Sequence, residues 1–336
     1  MDDLQFGTRN KRGDWAPATA LRASPIWPPQ PARALSWLIG YLWPWNALFL
    51  ASALLWWRWL IPDEATRRTL DIGWIGPLLV ANMMGIALFY GAIEWRWYHR
   101  RAQDRRFKYN GRFPAEQPSD VFWFRSQNLD NALRTLLISV PIGTAIEVAL
   151  LWGYANGWIA QRDWDSHPGQ IIALVALAPV IHEAHFFVIH RAIHWGPLYR
   201  WVHAVHHNSV NPSPWSSLSM HPVESLAYFG VAAWVLVMAG HPFLAVWFFH
   251  LAGFGAVVGH IGFDKLAFGA DGRPLMDTSA YAHYLHHKHF DVNYCDNGVL
   301  PLDVWTGSWH DGSPEGEARM QERFRRKRER MNTASS

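Results

Sequence analysis

The densest chemistry in this sequence is carried by two short histidine runs. His203, His206 and His207 stand in "HAVHHNS", and His283, His286 and His287 stand in "HYLHH". Both read H-x-x-H-H. Imidazole suits zinc, copper, iron and nickel. Clustered imidazoles repel when protonated and gain little when neutral, unless a metal holds them. A third stretch, "IHEAHFFVIHRAIH" at 181–194, adds more. Read as a helix, it shares a face among residues three, four and seven apart. Glu183, His190 and His194 then fall on one stripe, and His185 points away from it. With His260, up to nine imidazoles converge. One metal takes roughly four to six ligands, so this number favours two.

The other histidines have a plainer reading. His99, His167, His241, His250 and His310 suit helix-end or interfacial positions with hydrogen bonds to backbone. Two lookalikes fail. "HEAHF" is not H-E-x-x-H, because Phe186 stands four residues after His182. "SHPGQ" lacks the second glycine and acidic flanks of a haem loop. Glu183 lies seven residues before His190, two helical turns or about 10 Å away. That is too far to share the metal of His190, so Glu183 is expected to orient a liganding imidazole from a neighbouring segment.

The 336 residues include 18 His, 22 Trp and one Cys, and 16 of the histidines lie between His182 and His310. A single Cys excludes an intrachain disulfide, a thiolate zinc site and a Cys-ligated iron–sulfur cluster. Without thiolates, a redox iron pair fits better than copper(I). The pI is near 9.0, but the basic residues sit in two blocks with no interleaved aromatics and glycines, so nucleic acid is not an expected partner.

Mean hydropathy is only −0.08, yet apolar residues are strongly segregated. Apolar stretches occupy 35–61, 72–93, 135–156, 170–181, 222–240 and 242–259. With 170–181 running on into the first histidine cluster, each is near the roughly 20 residues a helix needs to cross a bilayer, and tryptophans mark their ends as an interfacial belt would. The expected fold is all-α: an integral membrane bundle of about four to six transmembrane helices. Arg96, Arg100, Arg101, Arg105, Arg106, Lys108 and Arg112 follow the second stretch, and "RFRRKRER" lies in the tail. The positive-inside rule then places both termini and the 94–131 loop in the cytoplasm. The last two stretches become a hairpin with His241 and Pro242 at its far tip. His190, His194, His203, His206, His207, His221, His260, His283, His286 and His287 then collect at the cytoplasmic face. Three regions are expected: a cytoplasmic segment at 1–34, a membrane-embedded domain at 35–312 with its histidine core at about 170–312, and a basic tail at 313–336.

The region from about 120 to 312 resembles the fatty acid hydroxylase and sterol desaturase superfamily of membrane di-iron proteins. The resemblance rests on "EAHFFVIHRAIH", "HAVHHNS", "SMHPVES", "HYLHH" and "NYCDNGVLPLDVWTGSWHDG". The family pattern is H-x(3,4)-H followed by two H-x-x-H-H runs. Cys295 stands where the closing motif usually has Gly, and Glu183 where many sterol-type members have Asp. The resemblance implies that His190, His194, His203, His206, His207, His260, His283, His286 and His287 are the metal ligands, with His221 a weaker candidate. It implies two iron ions (zinc on overexpression), O2 as co-substrate and a membrane lipid as substrate. The lipid class ranges over fatty acyl chains, sterols and lipid headgroups, and the product is an alcohol or an alkene. Electrons would come from an external carrier of ferredoxin or cytochrome b5 type. Two rivals stand beside this reading. A histidine-lined metal transporter would want its ligands near mid-span, where only His250 lies. A metal-stabilised protein without catalysis would show no activity.

Overall fold

The computed structural model describes residues 2–114, 118–268, 274–295 and 298–334. Asp296 and Asn297 of the closing run, and the extreme ends of the terminal segments, lie outside the described residues. Five helices are long and apolar enough to cross a membrane: Pro31–Trp59, Ile72–His99, Gln127–Ala155, Pro168–Ile193 and Phe243–His260. The chain is therefore a mostly helical, multi-pass bundle.

The first span is not one straight helix, as the apolar run at 35–61 suggests. It divides into α1 (Pro31–Tyr41) and α2 (Ala47–Trp59), joined by an elbow in which Trp43 leaves helical geometry at φ −119° and ψ 135°. Pro44 causes this, because a residue preceding proline is driven to extended backbone. The next spans are α3 (Ile72–His99), begun by the Asp71 cap on Gly73 N, α4 (Gln127–Ala155) and α5 (Pro168–Ile193). The outbound leg of the expected hairpin is shorter than its apolar run. This helix, α6 (Pro222–Leu236), has 8 α-helical residues and then 7 in the 3-10 form. At their different rises these reach roughly 26 Å, just short of a ~30 Å hydrocarbon core.

The return leg, α7 (Phe243–His260), is the core of the bundle. Every residue from Phe243 to Gly253 is buried, as expected for a helix apolar on all sides. It packs against α2, α4 and α5. Its polar residue His250 is met by Ser52 Oγ of α2 at 2.7 Å, rather than by the backbone contact read from sequence.

The two ends of the bundle differ. At one, the turn before α7 joins the loop after α4, through Arg162 N to Gly240 O at 3.1 Å, and Trp152 Nε1 reaches Arg68 O. At the other lie the end of α5, the turns Tyr199–His203 and Ala204–His207, and the helix α8 (Tyr281–His289). A short hairpin of β1 (Gly7–Arg9) and β2 (Trp15–Pro17) caps this end. Trp15 is buried against Phe107 and Tyr109, and Tyr109 stacks on Tyr284 of α8. Lys108, counted above among the basic block, is fully buried beside the Tyr98, Phe113 and Phe263 rings, so it does not belong to a charged surface. The basic tail forms the helix α9 (Pro314–Ala334).

Candidate metal centre

The nine histidines fall into two groups. His190, His194, His203, His207 and His286 form one, and His206, His260, His283 and His287 form the other; within each group the donor atoms lie within 4.8 Å of one another. All are buried except His194, which is partly exposed. Helical spacing explains the sorting. Residues four apart share a face, so His190 pairs with His194, His203 with His207, and His283 with His287. His206 and His286, one residue earlier, are turned roughly 100° from His207 and His287 and enter the opposite group.

Hydrogen bonds fix the imidazole tautomers. His190 Nδ1 donates to Tyr294 O at 2.8 Å, His286 Nδ1 to Val292 O at 2.7 Å and His260 Nδ1 to Ala256 O at 3.0 Å. His203 Nδ1 lies 2.7 Å from Glu224 Oε1. Each proton held at Nδ1 leaves a bare Nε2 pointing inward. His260 Nε2 sits 3.2, 3.0 and 3.3 Å from the Nε2 atoms of His206, His283 and His287. His286 Nε2 sits 3.2 Å from His207 Nε2. Nitrogens bound tetrahedrally at ~2.0–2.1 Å stand roughly 3.3 Å apart. One hydrogen can bridge one such pair, but four nitrogens this close need a cation between them. Burial holds His203, His207, His286 and His287 well below the ordinary imidazole range, and neighbouring imidazoles add to the effect. Burial, with His283 second, pushes His206 down to about 3. Neutral, lone-pair-bearing rings are what a metal requires.

The closing run frames these ligands. Asp303 accepts Tyr294 N at 2.9 Å and Cys295 N at 2.8 Å, which aims the Tyr294 carbonyl at His190. Asn293 ties Ala282 O of α8 to His310 O. The carboxylate seen against one of the grouped imidazoles, that of His203, is Glu224, which sequence reasoning missed; its signal was an isolated acid opening an otherwise apolar segment. Glu183, expected in that role, instead accepts from Tyr41 Oη at 2.8 Å and Val299 N at 2.6 Å. His221 joins neither group. Its Nδ1 accepts Val223 N and caps α6. His185 Nε2 bonds Ala227 O.

A third grouping, His289, His310 and Glu317, is of another kind. Gly312 N donates to His310 Nδ1 at 3.0 Å, which leaves the ring proton on Nε2, facing Glu317. His289 Nε2 lies 3.2 Å from Glu317. These contacts tie α9 to α8 and present no bare nitrogen pair to a metal. Beside the two main groups lies a cavity of about 210 Å³, reached by His190, His203, His206, His260 and His283 and walled by Phe186, Met220 and Tyr228.

Residues 175–308 match the fatty acid hydroxylase family. A Delta(7)-sterol 5(6)-desaturase of Gibberella zeae is 24% identical over 63% of this chain and 62% of its own length. A Delta(7)-sterol 5(6)-desaturase of Aspergillus fumigatus is 21% identical over 70% of this chain and 79% of its own length. Methylsterol monooxygenase 1 of Danio rerio is 27% identical over 39% and 46%. No solved structure matches. The family match covers the histidine-bearing stretch 175–308, and together with these relatives it supports a place for this chain in the fatty acid hydroxylase and sterol desaturase superfamily. Its named relatives are desaturases and monooxygenases, both classes of oxidoreductase. The chain spans a little under two thirds of the Gibberella protein's length.

Proposed function

We propose that this protein is an O2-dependent di-iron oxygenase that hydroxylates or desaturates a membrane lipid. The observation that carries the reading is the convergence of bare imidazole nitrogens at 3.0–3.3 Å in two adjoining groups. His190, His194, His203, His207 and His286 would hold one ion, and His206, His260, His283 and His287 the other. Bound iron supplies the oxidising power for an unactivated C–H bond. The chain's own contribution is positional. Backbone carbonyls and Glu224 lock the imidazoles, and Phe186, Met220 and Tyr228 keep the adjoining cavity apolar. The names of the relatives favour a sterol-like lipid.

The reading includes an external electron carrier of ferredoxin or cytochrome b5 type, because reduction of O2 at an iron pair needs a supply of electrons. It also places both termini and the metal end in the cytoplasm, on the distribution of arginine and lysine. The domain limits stay at 1–34, 35–312 and 313–336. Zinc would substitute for iron on overexpression. Lipid mass spectrometry on membranes with and without the protein tests the activity. The expected result is an oxidised lipid that needs both O2 and reductant; an unchanged lipid profile with two metals bound would leave a structural metal protein instead. Cysteine labelling tests the topology. Asp163 and Arg325 are expected on opposite sides, and labelling of both from one side would overturn the placement.

A further inference from the structure

The cavity beside the histidines does not end there. It shares Tyr41, His182, Glu183 and Ser279 with a larger chamber of about 750 Å³. The far wall of that chamber is the elbow between α1 and α2, with Trp37, Trp43 and Phe49. The elbow lies outside residues 175–308, the stretch that matches the family.

Four polar side chains, those of Tyr41, His182, Glu183 and Ser279, stand where cavity and chamber meet. Glu183 is held from two sides, by Tyr41 Oη at 2.8 Å and Val299 N at 2.6 Å. These contacts fix the carboxylate where cavity and chamber meet. Gly298 makes room for it, since a Cβ there would run into the Glu183 carboxylate. His182 is the neighbour of Glu183 and lines both spaces. Its Nε2 is buried and has no hydrogen-bond partner among the described residues. An unpaired buried polar atom costs free energy unless a partner arrives. His182 lines the passage, so a partner can reach it from there.

We propose that Glu183, His182 and Tyr41 recognise a hydroxyl group on the lipid substrate while the carbon to be oxidised sits beyond them against the histidines. This rests on the oxygenase reading above. A hydroxyl both donates and accepts: it donates to Glu183, which Tyr41 holds in place, and accepts from His182. Glu183 lies two helical turns, roughly 10 Å, from His190 along α5. The oxidised carbon is thus placed within roughly 10 Å of the hydroxyl, and the rest of the lipid extends into the chamber. A sterol, an alcohol by definition, meets this requirement, and so does a long-chain alcohol.

The test is equilibrium binding to the purified full chain in lipid nanodiscs, without reductant, so that no turnover occurs. Tritiated cholesterol is the probe. Cholesterol, cholesteryl methyl ether, hexadecanol and hexadecyl methyl ether compete with it. A hydrogen bond to a charged group predicts that an alcohol outcompetes its ether by roughly 10- to 100-fold. Preference confined to the sterol pair assigns a sterol; preference in both pairs assigns the hydroxyl alone. Glu183→Leu and His182→Phe are expected to reduce the preference to within about twofold, with two metals still bound. Gly298→Ala, which displaces the carboxylate, should act in the same direction. If Glu183→Leu loses its metals, Glu183→Gln takes its place and should lose most of the preference. An unchanged preference in the metal-bound variants, or no preference in the wild type for either pair, overturns the proposal. Absence of two metals from the wild type would sink the oxygenase reading instead, and metal content is measured in the same preparations.

Discussion

The two H-x-x-H-H runs are alike in letters and opposite in use. His203 and His207 enter the five-histidine group and His206 the four-histidine group; His283 and His287 enter the four-histidine group and His286 the five. Each run gives a pair to one group and a single ring to the other. The repeat is therefore not redundancy. Neither group can form from one run alone, and both depend on α8 packing against the 199–207 turns. The helical offset between i+3 and i+4 does the dividing, so a motif of five residues can serve two sites.

The crossing can be broken at its single rings. His206→Ala and His286→Ala each remove the one ring a run sends across, and each is expected to abolish activity. Metal analysis should show at least one ion lost. A weaker contrast separates the two groups. His260→Ala leaves three histidines in its group and is expected to release that ion. His194→Ala removes the partly exposed member of five and should keep two ions with lowered activity. Equal metal loss in the two variants would mean that the groups are not five and four. Below these comes Glu224→Gln, which keeps the shape but weakens the hold on His203. Loss of such a partner costs roughly 10- to 100-fold in metal affinity or activity, measured by competition with a chelator. His310→Ala, whose ring faces Glu317 rather than either group, should change activity by less than about twofold.

Acid should act on the metal-free protein in a defined direction. Burial lowers the folded-state pKa of His203, His206, His207, His286 and His287. The folded protein therefore binds fewer protons than the unfolded chain below about pH 6.5. Stability is fully present above that pH and falls as the pH drops toward the folded values. Thermal melts of the metal-free protein from neutral to acid pH check the sign; a flat profile would count against neutral, buried rings.

Much of this was legible in the sequence. The spacing of the histidines gives their helical faces, and hydropathy places them at one end of the bundle. The elbow in the first span was legible too, since Pro44 forbids Trp43 a helical conformation, but the apolar run hid it. Other features were not. The spacing divides each run, but which run's pair meets the other run's single ring depends on how α8 meets the 199–207 turns, a tertiary fact with no local signal. The partners that lock the tautomers are mostly backbone carbonyls, Tyr294, Val292 and Ala256, which no residue type announces. Glu183 shared a stripe with His190, but its reach was set by Tyr41, 142 residues away in sequence. The 3-10 stretch that lengthens α6 has no composition of its own.

X-ray absorption spectroscopy with metal counting on the purified, iron-loaded protein tests the central claim most directly. Two ions per chain are predicted, with nitrogen donors at about 2.0–2.2 Å, imidazole outer-sphere scattering and no sulfur. One ion per chain, or a sulfur donor from Cys295, would contradict the crossed assignment of the two histidine runs.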